Sequence, residues 1–139
     1  MLFRSFPHLT ICINGGITSL DQARDFLAQG LDGVMLGRAA YQDPASVLVG
    51  ADALWGDLPG FDAFDAVNAM RPYITTHLSA GGRLHQITRH MLGTFTGVSG
   101  ARAWRRVLST LANRPGAGLE VLDLALAEVQ GASAAAAVV

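Results

Sequence analysis

The chain has 139 residues, half of them hydrophobic and 15% charged, with a formal net charge of −1. That balance excludes an intrinsically disordered polar chain, and the length allows one ordinary domain or pieces of two. No apolar run approaches the ~20 residues needed to span a bilayer, the opening residues carry no secretion signal, and the lone Cys12 excludes an internal disulfide and fits a reducing cytoplasm.

In chain order, Leu9-Thr10-Ile11-Cys12-Ile13 is a short apolar run ended by Asn14-Gly15-Gly16, the pattern of a buried strand entering a tight loop. Ser19 with Gln22 three residues on predicts a capping box, and Leu20, Ala23, Phe26 and Leu27 supply the apolar stripe of a helix stopped by Gly30. Gly33-Val34-Met35-Leu36 reads as a second buried strand ending at Gly37-Arg38, with a short helix before Asp43-Pro44. Strand, helix, strand, helix in this order predicts parallel α/β structure. Cys12 falls inside the first strand and is read as a core residue.

The composition changes at residue 51, where a Gly-, Pro- and Asp-containing stretch to residue 61 reads as a linker. Beyond it the apolar spacing is helical. A first helix is predicted from about Asp62 to Ser79, with a kink or break near Met70 because of Pro72. A second begins with Leu84, Ile87, Met91 and Phe95, a third covers Ala101 to Asn113 after a Gly97/Gly100 turn, and a fourth follows Pro115-Gly116. Short loops between them predict antiparallel neighbours in a small bundle. Residues 131–139 read as a frayed, low-complexity tail.

Charge is distributed unevenly. All acidic residues lie at or before Asp65 or at or after Glu120, whereas Arg71, Arg83, Arg89, Arg102, Arg105, Arg106 and Arg114 fill the interval, and the chain has no lysine. Guanidinium groups suit bidentate phosphate contacts. Arg102, Arg105 and Arg106 share one face of the third predicted helix, opposite Trp104, Val107, Leu108 and Leu111. Such a stripe fits either a solvated helix surface or a polyanionic partner. Arg83, Arg89 and His90 extend the same choice to the preceding helix.

Asn14-Gly15-Gly16 and Gly37-Arg38 follow consecutive predicted parallel strands. In a βα-barrel that end carries the active site, and loops after the last two strands often hold a phosphate. Glycine lets main-chain N–H groups approach an anion closely. Either pair alone is most simply an ordinary turn; the two together point to anion binding. The expected fold is α/β followed by all-α: the last two βα units of a (βα)8 barrel over residues 1–50, the linker over 51–61, and a four-helix bundle over 62–130. Two strands cannot close a barrel, so about six further units are expected before Leu9, and the chain alone is expected to expose an edge strand and apolar faces.

Phe6-Pro7-His8-Leu9-Thr10, Ile13-Asn14-Gly15-Gly16-Ile17 and the run Asp32 to Pro44 resemble the end of the flavin-binding barrel of tRNA-dihydrouridine synthases. Ile87-Thr88-Arg89-His90-Met91-Leu92-Gly93 and Gly100-Ala101-Arg102-Ala103-Trp104-Arg105-Arg106 resemble the helical domain of A-type bacterial members, so the resemblance runs from about Arg4 to Val129. It implies an oxidoreductase of the cytoplasm, monomeric at full length, that uses NADPH and FMN to reduce uridine to dihydrouridine in the tRNA D-loop. It implies FMN contacts from Asn14, Gly15, Gly16, Gly37 and Arg38, and tRNA contacts from Arg102 and Arg105. No metal is implied. The family's catalytic cysteine falls in an N-terminal half these residues do not include, so the 139 residues are expected to be inactive alone. Two other readings remain open: another phosphate-binding flavin barrel, and a stand-alone RNA-binding module without catalysis.

Overall fold

The computed structural model describes residues 5–56, 60 and 62–136. The chain divides into two compact units, Met1–Gly60 and Phe61–Val139.

In the first unit, strands β1 (Cys12–Asn14) and β2 (Gly33–Met35) pair in parallel with Cys12 opposite Gly33 and Asn14 opposite Met35. Helix α1 (Leu20–Ala28) makes the crossover that a parallel pair requires. Ser19 caps it, its hydroxyl accepting from the Gln22 N–H at 3.2 Å. The Gln22 side chain reaches back to the Thr18 N–H at 2.9 Å, one residue earlier than the capping box expects. Gly33 leaves room for its cross-strand neighbour, since a Cβ there would lie 2.5 Å from the Cys12 sulfur. Helix α2 (Gly37–Gln42), a π-helical stretch (Ala45–Val49) and a 3-10 helix (Ala51–Trp55) complete the unit.

Two expectations fail here. The strands are not fully buried: Cys12, Asn14 and Met35 are exposed and Ile13 and Val34 only half-buried. Cys12 is therefore a surface thiol in this chain, not a core residue. A two-stranded sheet leaves an outer edge on each strand, and parallel strands are buried only where further strands and helices cover them. The second failure concerns the linker, whose first residues form the 3-10 helix within this unit. Gly50 makes that packing possible, because it passes so close to α1 that a Cβ would meet Leu20 Cδ1 at 2.8 Å. Residues 57–59 and 61 of the expected linker, and residues 1–4, lie outside the described residues.

The second unit is helical. Asp62 and Asp65 form a reciprocal capping box (2.9 and 3.1 Å) that starts α3 (Ala63–Ala69). Pro72, which has no N–H to continue the ladder, separates α3 at Met70 from α4 (Arg71–Ser79). The second expected helix is reduced to α5 (His85–Thr88), followed by turns. The hydroxyls of Thr94 and Thr96 donate to the carbonyls of Met91 and Gly93 at 2.8 Å each, bonds that compete with a helical ladder. Its apolar residues Leu84, Ile87, Met91 and Phe95 are buried nonetheless. Then come α6 (Ala101–Leu111) and α7 (Leu119–Ala136). The described residues thus hold five helical segments in this unit where four were expected. Helix α7 continues past Gly131, the expected start of a frayed tail, because alanine is the strongest helix former; residues 137–139 of that tail lie outside the described residues.

Trp104 centres this core. It is fully buried, meets Phe95 edge-to-face at 4.9 Å, and Phe95 packs on Phe64 at 4.8 Å. Leu108, Leu122 and Val129 fill the space between α6 and α7. Arg71 of α4 pairs with Asp123 of α7 across the unit surface.

Candidate functional site

In the first unit, the turns after β1 and β2 open on one cleft of ≈ 570 Å³. Asn14, Gly15 and Gly16 line one part of it, and Gly37 and Arg38 another. All five residues expected at a phosphate thus face a single space. Gly15 and Gly16 have φ of +114° and +71°, a region that side-chain-bearing residues enter only with strain, and nothing lies within 4 Å of where a Cβ would stand. The main chain there is bare toward the cleft. At α2, Leu36 provides no side-chain cap, so the first N–H groups of that short helix keep no side-chain acceptor. Arg38 is exposed and makes no ion pair among the described residues.

The cleft also includes residues the sequence reading did not single out. Thr18, Asp43 and Ser46 line it. The Asp43 carboxylate accepts from the Ser46 N–H at 3.3 Å and the Ser46 hydroxyl donates back to the Asp43 carbonyl at 3.3 Å, which turns the carboxylate toward main chain. The signal was present as Asp-x-x-Ser after the helix stop, a pattern of local side-chain to backbone bonding. Chemically the cleft offers main-chain donors, hydroxyls and one guanidinium. That set suits a phosphate with a polyhydroxyl neighbour.

In the second unit, Arg102, Arg105 and Arg106 project to solvent from α6 while Ala101, Trp104 and Leu108 are buried beneath them. Arg106 approaches Glu128 of α7 at 3.6 Å. Arg102 and Arg105 have no hydrogen bond or ion pair among the described residues. Among the described residues, none of Arg102, Arg105 and Arg106 neutralises a buried carboxylate, so the stripe is not structural charge compensation. The two candidate surfaces belong to different units. Among the described residues there is no group of His, Cys, Asp and Glu able to hold a metal, and no helix long and apolar enough to cross a membrane.

A parallel βα pair whose glycine turns share one cleft, followed by a helical unit with arginines exposed along α6, defines an α/β chain with an appended helical region. The sequence pattern of the family described as "Dihydrouridine synthase (Dus)" matches residues 2–130, and the chain belongs to that family. It is 54% identical over 130 residues to the tRNA-dihydrouridine(20/20a) synthase of Shewanella oneidensis, covering 93% of this chain and 38% of that protein. It is 48% identical over 127 residues to the protein of the same description from Vibrio cholerae, covering 91% of this chain and 38% of the relative. The Escherichia coli K12 relative, described in the same words, is 50% identical over 126 residues, covering 90% of this chain and 36% of its own length. The chain therefore spans a little over a third of the length of the curated relatives it matches.

Proposed function

We propose that these residues are the C-terminal part of an FMN-dependent tRNA-dihydrouridine synthase: the flavin-phosphate end of a (βα)8 barrel followed by a helical bundle that grips tRNA. The observation that carries the reading is the convergence of Asn14-Gly15-Gly16 and Gly37-Arg38 on one cleft. In a βα-barrel, loops after the final strands are where a cofactor phosphate sits. The main-chain donors of Gly15, Gly16 and Gly37 and the charge of Arg38 fit the flavin's phosphate. The hydroxyls of Thr18 and Ser46 fit its polyhydroxyl chain. The chemistry such a flavin would supply is hydride transfer from NADPH to the uridine ring, with Gly15, Gly16, Gly37 and Arg38 as the residues that would hold it. What these 139 residues contribute is retention of the cofactor and positioning of the nucleic acid.

The exposed faces of Arg102 and Arg105 are read as tRNA contacts. Three guanidinium groups on one helix face repel one another by a few tenths of a kcal/mol per pair, and a phosphate backbone removes that cost. Binding at the D-loop would bring the target uridine, unstacked, to the flavin; the relatives' description suggests positions 20 and 20a. Two βα units form only part of a (βα)8 barrel mouth, so these residues by themselves should hold FMN weakly.

The test is fluorescence anisotropy of an unmodified tRNA transcript titrated with the chain. Affinity should fall steeply with salt, and Arg102→Ala with Arg105→Ala should lower it on the order of tenfold or more. Equal binding by wild type and double variant would remove the tRNA assignment. Tight stoichiometric FMN on the chain alone would contradict the partial-site reading.

A further inference from the structure

The exposed face of α6 does not end with its arginines. Arg102, Arg105, Ser109 and Asn113 recur every three or four residues and all are exposed, so they form one continuous strip. Asn113 lies just past the helix end, and its side-chain amide donates back to the Ser109 carbonyl at 2.8 Å, which keeps it in line with the strip. On that residue Arg83, from the turn between α4 and α5, is docked: its guanidinium donates to the Asn113 carbonyl at 2.8 Å. The C-terminal end of a helix attracts a cation through its unsatisfied carbonyls and dipole.

Arg83 is also held by its own turn. Its main-chain N–H donates to the Gln86 side-chain oxygen at 2.9 Å, and the same oxygen lies 2.9 Å from the His77 ring nitrogen. The preceding Gly82 N–H donates to the His77 carbonyl at 2.9 Å. One bond to Asn113 therefore leaves most of a fixed guanidinium fork unused. Beside it stands Arg114, and the two arginines border one small cleft of ≈ 230 Å³ with Gly82 and Gly116. Neither forms an ion pair among the described residues. The acids next after Arg114 pair with neither arginine: Glu120 accepts the N–H of Gly118, which also lines the cleft, at 2.7 Å, and Asp123 holds Arg71. Two cations on one cleft, neither of them ion-paired among the described residues, favour an anionic partner there.

Its length says what kind. From Arg102 to its last residue Leu111 the helix rises about 14 Å, whereas a nucleic-acid duplex carries one phosphate per strand about every 3.4 Å of its axis. A single small phosphate cannot reach both ends of the strip. We propose that Arg83 and Arg114 form a second phosphodiester contact at the far end of α6, so that this helix lies along an RNA backbone instead of touching it at one point. This rests on the reading of Arg102 and Arg105 as RNA contacts and extends it to residues on two other turns.

The experiment measures binding of an unmodified tRNA transcript to the 139-residue chain from about 50 to 200 mM salt. It compares wild type, Arg83→Gln/Arg114→Gln and Arg102→Ala/Arg105→Ala, each with a thermal melt. The Arg83/Arg114 pair should weaken binding on the order of five- to thirtyfold near 100 mM salt and flatten the log–log salt slope by about one to two. Wild-type affinity and slope in that pair, with loss in the Arg102/Arg105 pair, would overturn the second contact and leave the first standing. No loss in either pair would fail both. If removing the Asn113 bond lowers the melting temperature, Arg114→Gln alone decides, because its guanidinium makes no described bond: a flatter slope supports the contact and an unchanged one rejects it.

Discussion

The indole N–H of Trp104 donates to the main-chain carbonyl of Met91 at 3.0 Å, entirely inside the helical unit. One side chain thereby does two jobs. It fills the centre of the core against Phe95, and its own N–H finds a buried acceptor in the Met91 carbonyl, which also accepts the Thr94 N–H at 3.1 Å and the Thr94 hydroxyl at 2.8 Å. A buried donor without a partner costs about 1–3 kcal/mol, a penalty this bond spares the indole.

Trp104→Phe, which removes the donor and leaves the Met91 carbonyl its bonds from Thr94, should therefore destabilise the helical unit by about 0.5–1.5 kcal/mol, and Trp104→Ala by about 3–5 kcal/mol, the added loss coming from the cavity. Urea denaturation followed by circular dichroism at the helical band checks this. Equal midpoints for Trp104→Phe and wild type would mean the bond to Met91 contributes nothing.

Gly100 governs how closely α6 and α7 approach. Its φ is +86°, and a Cβ there would lie 2.7 Å from both the Glu128 carbonyl oxygen and Val129 Cα, which are main-chain atoms that cannot swing aside. Gly100→Ala should cost roughly 1–3 kcal/mol in strain plus repacking of Leu122 and Val129 against α6. The same substitution at Gly97, also at positive φ but with open space around its Cβ position, should cost less. The difference in melting temperature between the two variants measures the close approach itself.

Removing the arginines should have the opposite character. Arg102 and Arg105 are exposed, unpaired among the described residues and close to Arg106, so Arg102→Ala and Arg105→Ala should leave the melting temperature unchanged or raise it slightly. A clear loss of stability would show that these guanidinium groups serve the fold. Glu128→Gln should also be nearly neutral, since its contact with Arg106 is a solvated pair at 3.6 Å.

Much of this architecture was legible in the residues. Ser19 and Asp62 marked two helix starts, Pro72 marked the break at Met70, and Gly100 preceded α6 as expected. Those signals are local: a hydroxyl or carboxylate cap, or a missing N–H, acts within one turn. What local pattern could not carry was decided by neighbours. Cys12 reads as core because a run of apolar residues means burial on both faces, yet exposure depends on which strands lie alongside. The 3-10 helix at Ala51–Trp55 depends on Leu20 thirty residues away, reached because Gly50 lacks a side chain.

The candidate site divides the same way. Glycines at Gly15 and Gly16 announce positive φ directly, and the arginine stripe follows from helical spacing alone. Arg83 could be nominated from charge but not placed, because its position is set by a bond to Asn113, thirty residues on. Thr18 carries no distinguishing pattern, and the Asp-x-x-Ser spacing at Ser46 marks only a local turn; the shape of the cleft is what collects them.

The absence of lysine makes arginine modification a direct probe of the nucleic-acid face. Phenylglyoxal labelling of the chain, read peptide by peptide by mass spectrometry with and without tRNA, should show protection at Arg102 and Arg105 while Arg24, an exposed arginine paired with Asp21, stays as reactive as before. Unchanged labelling of Arg102 and Arg105 at saturating tRNA, or protection of Arg24 to the same degree, would contradict the account.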